Sequence, residues 1–318
     1  MKRTLILMGA TAVILSIFLL FLIYEKPDPF DENAVRITVC TINAENRYYW
    51  NSIQSGIEDA ARDYHANISI ASFDRFDEDT QLQLLEETGY YHTDGIITIG
   101  APSNEKIGDI IRERVSQGIP VALIDTDMPE SGRSFYIGTD NELAGYMAGR
   151  HILEQTDGQA VSLVFLSGIN DANQSERLRG FQKAMDNSDN GSTLTVFENG
   201  TNKVAINTFL EEFLSSYPEI NSIFCAEATS SALVGLYLEE HTEYQNLCVI
   251  GFDHVPPTPR LVAENILDGT MIQQPHDMGY HAIEILLEYI QDPDKEHQEV
   301  YTDALFIGPE EAGDYITW

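Results

Sequence analysis

Side chains able to bind a small polar molecule stand directly after predicted strands along most of the chain. They combine planar aromatic rings, carboxylates, guanidinium groups and an amide: Arg47, Tyr49, Trp50, Asp125, Asp127, Arg177, Glu227, Asp253 and Gln273. Aromatic faces pack on the C–H faces of a sugar ring, whereas carboxylates and arginine bind its hydroxyl groups in pairs. This combination predicts a noncovalent site for a sugar-like ligand.

No motif of covalent or metal-assisted catalysis accompanies these residues. The sequence contains no Gly-x-Ser-x-Gly elbow, P-loop, Gly-x-Gly-x-x-Gly or His-Glu-x-x-His pattern. His276 and His281 are five residues apart, which is a poor spacing for two metal ligands on one helix face. Paired carboxylates leave a glycosidase open as an alternative. The sequence otherwise predicts a binding protein that is not an enzyme and uses neither a cofactor nor a metal ion.

The elements that must position this site alternate short β-branched runs with amphipathic stretches. Strands are predicted at 35–42, 68–73, 95–99, 120–124, 160–166, 193–197, 222–226 and 247–251. Helices are predicted between them at 50–64, 79–90, 105–117, 142–155, 176–185, 204–215 and 230–240. Continuous apolar strands separated by helices indicate parallel sheets covered on both faces. Because the alternation runs about four times on each side of residue 140, it predicts two similar α/β lobes. Parallel sheets bind ligands beyond the carboxyl ends of their strands.

The charge and the cysteine content of the chain limit which kinds of partner and which kinds of structure are possible. The chain carries 51 acidic and 18 basic residues, a formal charge of −33. A surface this acidic repels phosphate backbones and argues against binding to nucleic acid. The three cysteines, at positions 40, 225 and 248, form no Cys-x-x-Cys pair, which excludes a disulfide framework and a zinc ribbon.

The start of the chain predicts attachment to a membrane. Lys2 and Arg3 precede an almost unbroken apolar run over 5–23, which at about 1.5 Å per residue approaches the hydrocarbon thickness of roughly 30 Å. The basic start places the N-terminus inside and the body outside the cytoplasm. We therefore expect an uncleaved signal anchor at 1–26, a tether at 27–34 and an extracytoplasmic body at 35–318. A signal peptide cleaved between Pro27 and Phe30 is the alternative.

Seven short phrases resemble the type I periplasmic sugar-binding proteins, the ribose- and galactose-binding group that shares its fold with lactose-repressor cores. They are Tyr-Trp-x-x-Ile-x-x-Gly-Ile (49–57), Asp-Gly-Ile-Ile (94–97), Gly-Ile-Pro-Val-x-x-Ile-Asp (118–125), Ile-Gly-Thr-Asp-Asn-x-x-x-Gly (137–145), Glu-Arg-x-x-Gly-Phe (176–181), Val-Ile-Gly-Phe-Asp (249–253) and Gln-Gln-Pro (273–275). The resemblance implies two Rossmann-like lobes with parallel sheets flanked by helices and one ligand in the cleft. The N-lobe would comprise 35–139 plus 275–300 and the C-lobe 140–274 plus 301–318, with crossovers near 139–142, 250–255 and 273–276.

The same resemblance implies roles for individual residues. Tyr49 and Trp50 match stacking aromatics, whereas the polar ligand contacts are matched by Asp125, Arg177, Asp253 and Gln273. The chain departs from ribose-like members in three places: Arg47 replaces an asparagine, Thr126 and Asp127 follow where an arginine is usual, and Glu227 replaces an asparagine. These departures leave the identity of the sugar open.

Packing and capping roles are the alternatives for several of these residues. Tyr49 or Trp50 could complete a lobe core, Asp125 and Asp253 could cap the segments that follow them, and Arg177 could be a solvated charge.

The overall prediction is a receptor whose lobes close on a monosaccharide. Its partner would be the permease of an ATP-binding-cassette importer or a sensor histidine kinase. A lactose-repressor-like regulator would need a helix-turn-helix where the predicted membrane span stands.

Overall fold

The computed structural model describes residues 34–316 apart from 44–47, 75–76, 169–170, 199–200 and 293–297. The described strands are β1 Arg36–Ile42, β2 Asn67–Phe73, β3 Gly95–Thr98, β4 Val121–Ile124, β5 Phe135–Thr139, β6 Val161–Leu166, β7 Ser192–Glu198, β8 Ser222–Cys225, β9 Cys248–Phe252, β10 Gly269–Ile272, β11 Gln298–Thr302 and β12 Leu305–Ile307. The described helices are α1 Tyr48–Asp63, α2 Glu78–Glu87, α3 Glu105–Ser116, α4 Asn141–Gln155, α5 Ala172–Asp186, α6 Lys203–Ser216, α7 Ala228–Glu240, α8 Thr258–Ala263 and α9 Pro275–Gln291. Short 3₁₀ turns lie at Pro129–Ser131, Thr242–Tyr244 and Ala312–Tyr315.

The strands form two six-stranded sheets. The first has the order β11-β5-β4-β3-β1-β2 and the second the order β12-β10-β9-β8-β6-β7. Neighbouring strands are parallel except for β12, which runs antiparallel to β10. Central strands such as β3 and β4 are buried along their whole length, because helices cover both faces of each sheet. The prediction of an α/β protein with parallel sheets flanked by helices is confirmed.

The chain passes between the two sheets at three places. The first passage follows Thr139, since α4 packs on the second sheet. The second follows Ile272, since α9 packs on the first sheet, and the third joins β11 to β12 between Thr302 and Leu305. The crossover predicted near 250–255 is wrong, because β9 and β10 pair with each other in the second sheet. The predicted lobe boundary at 300–301 also divides β11, which belongs wholly to the first sheet.

Glycines let the helices beside the cleft approach each other closely. A Cβ atom at Gly145 of α4 would overlap the carbonyl oxygen of Arg177, and one at Gly180 of α5 would overlap that of Glu142. The same reciprocal arrangement recurs where α1 crosses α9. Backbone-to-backbone packing therefore leaves α1 and α5, which carry three of the predicted site residues (Tyr49, Trp50 and Arg177), with little freedom to slide.

Among the described helices, none is both long and apolar enough to cross a membrane. The predicted anchor at 1–26 and nearly all of the tether at 27–34 lie outside the described residues.

Candidate functional site

Four predicted site residues lie together as two hydrogen-bonded pairs at the carboxyl ends of the strands. Tyr49 Oη donates to Asp125 Oδ1 at 2.6 Å and lies 3.4 Å from Gln273 Oε1. Gln273 Nε2 in turn donates to Asp253 Oδ1 at 2.9 Å. Tyr49 and Asp125 follow strands of the first sheet, whereas Gln273 and Asp253 follow strands of the second. Each lobe therefore contributes one bonded pair, and the two pairs lie side by side.

Gln273 is the central member of this group. Its side chain is only 6% exposed, and its Oε1 also accepts a hydrogen bond from Thr139 Oγ1 at 2.8 Å. Thr139 ends β5 at the first passage between the sheets, and Gln273 follows β10 at the second. The amide thus joins two of the three passages and positions the Asp253 carboxylate at the same time.

Arg177 is a buried and fully oriented cation. It is 5% exposed, its Nε donates to Asn141 Oδ1 at 2.8 Å, and its Nη1 donates to the Ala226 carbonyl at 2.9 Å. The guanidinium carbon lies 3.6 Å from the centroid of the Phe252 ring. The alternative of a solvated surface charge is therefore wrong, because protein partners hold the guanidinium in one orientation.

Burial dominates the electrostatics of the Tyr49–Asp125 pair. It raises the pKa of the Asp125 carboxyl, and the hydrogen bonds from Tyr49 and Thr126 and the charge of Arg177 oppose that rise only in part. Burial, followed by the nearby Asp125 charge, raises the pKa of Tyr49 well above its ordinary value. Tyr49 consequently stays protonated and acts as a donor, while Asp125 is a poorly solvated carboxylate that gains from additional hydroxyl donors.

The two predicted stacking aromatics differ in their surroundings. Trp50 is 9% exposed and belongs to the hydrophobic core of the first lobe, whereas Tyr49 is partly exposed and packs against the edge of that core. Their rings meet in a T-shaped contact with centroids 5.3 Å apart. The structure shows the core-packing role that the sequence left open for Trp50, and its stacking on a ligand stays a prediction.

Asp127 and Glu227 have protein partners that the sequence did not reveal. Asp127 forms a bidentate ion pair with buried Arg133, in which Arg133 Nη2 lies 2.7 Å from Asp127 Oδ2. Glu227 caps α7 by accepting hydrogen bonds from the backbone amides of Thr229 at 2.7 Å and Ser230 at 2.5 Å. Both carboxylates are therefore bound to groups of the protein, and their contact with a ligand stays a prediction. Arg47 lies outside the described residues.

Asn173 is a site residue that the sequence analysis missed. Its Nδ2 lies 3.3 Å from the Asp125 carbonyl oxygen, 3.4 Å from Asp125 Oδ2 and 3.4 Å from Thr126 Oγ1. Since α5 belongs to the second lobe and Asp125 to the first, this is a direct contact across the cleft. Asn173 stands four residues before Arg177 on the same helix, a spacing that could have revealed it.

The described residues of this site include neither a metal-binding cluster nor a reactive thiol. Within the part of the chain that the structure describes, no group of three or more His, Cys, Asp or Glu side chains could hold a metal ion. The cysteines are all buried and free, and burial raises the pKa of Cys40 and of Cys248 to about 12.

The chain belongs to the family described as "Periplasmic binding protein domain", which matches residues 37–295. The xylose/arabinose-binding protein XylF of Sulfolobus acidocaldarius is 24% identical over 242 residues, which cover 71% of this chain and 59% of that protein. This chain thus spans about three fifths of the length of that curated relative. The resemblance stated from the sequence is confirmed.

Solved structures agree with this assignment. The glucose-galactose binding protein GanP of Geobacillus stearothermophilus superposes with a TM-score of 0.79 at 27% identity, over 88% of this chain and 99% of that one. A chain of a structure described as an XylFII-LytSN complex superposes with a TM-score of 0.74 at 24% identity, over 87% of this chain and 98% of that one. The named relatives are binding proteins rather than enzymes, which confirms the prediction that this chain is not an enzyme.

Proposed function

We propose that this protein is an extracytoplasmic receptor that binds one neutral monosaccharide between its two lobes. The observation that carries the proposal is the pair of hydrogen bonds Tyr49–Asp125 on one lobe and Gln273–Asp253 on the other, which lie side by side near the oriented cation Arg177. Sites of this kind lie beyond the carboxyl ends of parallel strands. XylF and GanP, whose names specify xylose or arabinose and glucose or galactose, support a pentose or hexose.

The charges of the site favour a neutral polyol over an anionic sugar. Asp125 and Asp253 offer acceptors for hydroxyl protons, and Arg177 offers donors to hydroxyl or ring oxygens. A sugar phosphate or uronate would bring a negative charge beside two aspartates, and a single arginine offsets only part of that repulsion. Trp50, Asp127 and Glu227 are further proposed contacts, because each follows a strand in the chain, although Asp127 also pairs with Arg133 and Glu227 also caps α7. Arg47 is proposed from its place in the sequence alone.

Closure of the lobes would convert binding into a signal. A ligand held by Asp125 on one lobe and by Arg177 and Asp253 on the other binds better when the lobes are together, and only that difference shifts the equilibrium. The expected result is a smaller radius of gyration in solution scattering on addition of the bound sugar. A curve unchanged by a sugar that binds would contradict closure.

The output partner would be a membrane protein held close by the anchor at 1–26. The permease of an ATP-binding-cassette importer and a sensor histidine kinase are the two candidates. The uncleaved anchor favours the kinase, because a sensor gains from staying beside its partner, and the structural neighbour solved as an XylFII-LytSN complex was found bound to a second protein. Copurification of the crosslinked full chain from membranes should identify one of them. Release of a chain shortened to about residue 27–30 into the medium would contradict the anchor.

Calorimetric titration against a panel of neutral pentoses and hexoses tests the binding proposal. At least one sugar should bind, and Asp253→Ala should weaken its binding tenfold or more, because loss of a hydrogen bond to a charged group costs about 1.5–3 kcal/mol. Asp109→Ala, which removes an exposed aspartate on α3, is the matched control and should bind normally. Binding of no neutral sugar, or equal binding by both variants, would overturn the proposal.

A further inference from the structure

The two site aspartates share an unusual backbone conformation. Asp125 has a φ of 69° and Asp253 a φ of 64°, both in the left-handed region that side chains other than glycine rarely adopt. Each residue directly follows a buried strand, β4 or β9. Something in the surrounding structure must therefore stabilise this conformation in both lobes.

The backbone N–H and the backbone carbonyl of each aspartate both form hydrogen bonds with the neighbouring strand. Asp125 N–H donates to the Ile137 carbonyl at 2.9 Å, and the Asp125 carbonyl accepts from Tyr136 Oη at 2.9 Å. Tyr136 and Ile137 are consecutive residues of β5, so one strand supplies both partners.

The second lobe repeats this pattern with a different hydroxyl. Asp253 N–H donates to the Met271 carbonyl at 2.6 Å, and the Asp253 carbonyl accepts from Thr270 Oγ1 at 2.8 Å. The register is also equivalent, because Ile124 pairs with Ile137 and Phe252 pairs with Met271.

A glycine makes room for each hydroxyl. A Cβ atom at Gly138 would overlap Tyr136 Oη, and one at Gly251 would lie 3.1 Å from Thr270 Oγ1. Tyr136 is 4% exposed and Thr270 is fully buried. Burial raises the pKa of Tyr136 far above its ordinary value, so its hydroxyl remains a donor.

We propose that Tyr136 and Thr270 are positioning residues that hold Asp125 and Asp253 in the left-handed conformation and so direct both carboxylates to the ligand. This inference rests on the proposed sugar site but assigns to these two hydroxyls a role that acts through the backbone. Neither hydroxyl needs to contact the ligand. Loss of either should loosen one aspartate and weaken binding more than it weakens the fold.

Thr270→Val and Thr270→Ser test the proposal in the second lobe. Valine matches threonine in shape but lacks the hydroxyl, and should weaken sugar binding about tenfold, the effect of one lost hydrogen bond to an aligned acceptor. Serine keeps the hydroxyl and should bind within about threefold of the unmodified protein. Tyr136→Phe should reproduce the tenfold loss through Asp125. Normal binding by Thr270→Val and Tyr136→Phe would overturn the proposal.

Two comparisons separate positioning from a general structural role. Ser162→Ala removes a buried hydroxyl whose oxygen lies 2.8 Å from that of Ser222 near the opposite end of the second sheet, and should lower the melting temperature without changing affinity. In an Asp253→Ala background, Thr270→Val should cause no further loss of affinity, whereas Tyr136→Phe should still cause one. Additive loss for Thr270→Val would show that it does not act through Asp253.

A ligand-independent measurement keeps this inference distinct from the proposed function. Amide hydrogen exchange by NMR should be at least tenfold faster at Asp253 in Thr270→Val than in Thr270→Ser, while exchange at Phe252 stays unchanged. If the unmodified protein binds no sugar but shows this difference, the sugar proposal fails and the positioning inference stands. Unchanged exchange at Asp253 would overturn the inference whatever the sugar panel gives.

Discussion

Replacing Gln273 by glutamate exchanges the side-chain NH₂ group for an oxygen and turns the attractive contact with Asp253 into a repulsive one. The variant Gln273→Glu keeps the shape of the side chain and the acceptor for Thr139, but it loses the N–H that donates to Asp253 Oδ1 at 2.9 Å. A second carboxylate oxygen then faces the Asp253 carboxylate inside the cleft. The protein must either tolerate this repulsion or retain a proton between the two groups.

The expected cost follows from that distance. Loss of a hydrogen bond to a charged group costs about 1.5–3 kcal/mol. Two unit charges 2.9 Å apart would repel by about 6 kcal/mol at an effective dielectric constant of 20, which is enough to favour uptake of a proton instead. At pH 7.5 we therefore expect Gln273→Glu to lower the free energy of unfolding by about 3–5 kcal/mol.

The stability of Gln273→Glu should depend on pH. Repulsion by the Asp253 carboxylate should raise the pKa of the introduced carboxyl in the folded protein above its unfolded value of about 4.3. The variant should therefore approach the stability of the unmodified protein below pH 4.3 and lose stability as pH rises through the raised value. Urea unfolding at pH 4.3, 6.0 and 7.5 measures this loss. Gln273→Leu, which cannot ionise, is the control and should show a deficit that does not change with pH.

Two outcomes would refute the reasoning about Gln273. Equal stability of Gln273→Glu and the unmodified protein at pH 7.5 would mean that the amide does not face Asp253. A pH-dependent deficit in Gln273→Leu would mean that another group causes the titration.

Three further predictions concern burial and close packing. Burial raises the pKa of Asp125. Ionisation of this carboxyl therefore lowers the stability of the fold as pH rises through the raised pKa. Asp125→Asn should melt about 2–4 °C higher than the unmodified protein at pH 7.5, with no gain near pH 4. Gly145→Ala should lower the free energy of unfolding by about 3 kcal/mol, because its Cβ would overlap a carbonyl of α5. Gly313→Ala, with open space around it, is the control in the same urea titration. Since burial raises the pKa of Cys40 and Cys248 to about 12, neither thiol should react with a thiol reagent at pH 8 until urea unfolds the protein; fast labelling of the native protein would contradict this.

Most of the fold could be predicted from the sequence because the central strands are buried on both faces. Such strands are continuous apolar runs, and the predicted segments at 95–99 and 120–124 contain β3 and β4. The edge strand β11 has the mixed sequence Gln-Glu-Val-Tyr-Thr, and β12 has only three residues, so neither stands out from a loop. The crossover expected near 250–255 was misplaced: β10 returns beside β9, and the chain instead passes between the sheets from β11 to β12, two strands that the sequence pattern does not mark.

The site was predictable where its geometry follows from strand ends alone. The rule that ligands bind beyond carboxyl ends predicted that Tyr49, Asp125, Asp253 and Gln273 lie close together, and the structure places them in contact, whereas their binding of a ligand stays a prediction. Asp127 also follows a strand, but it pairs with Arg133, which lies six residues further along the chain. The sequence shows which groups can bind, whereas tertiary packing decides which of them are already bound to the protein.

The bond between Gln273 and Thr139 also restricts how the lobes can move. These residues lie on two different passages between the sheets, and the third passage, between β11 and β12, has only two residues, Asp303 and Ala304. Independent twisting of one passage would break the buried bond or stretch the short link. For the proposed closure, we therefore expect a motion close to rotation about a single axis, and a partner in contact with both lobes would sense one coordinate, the angle between them.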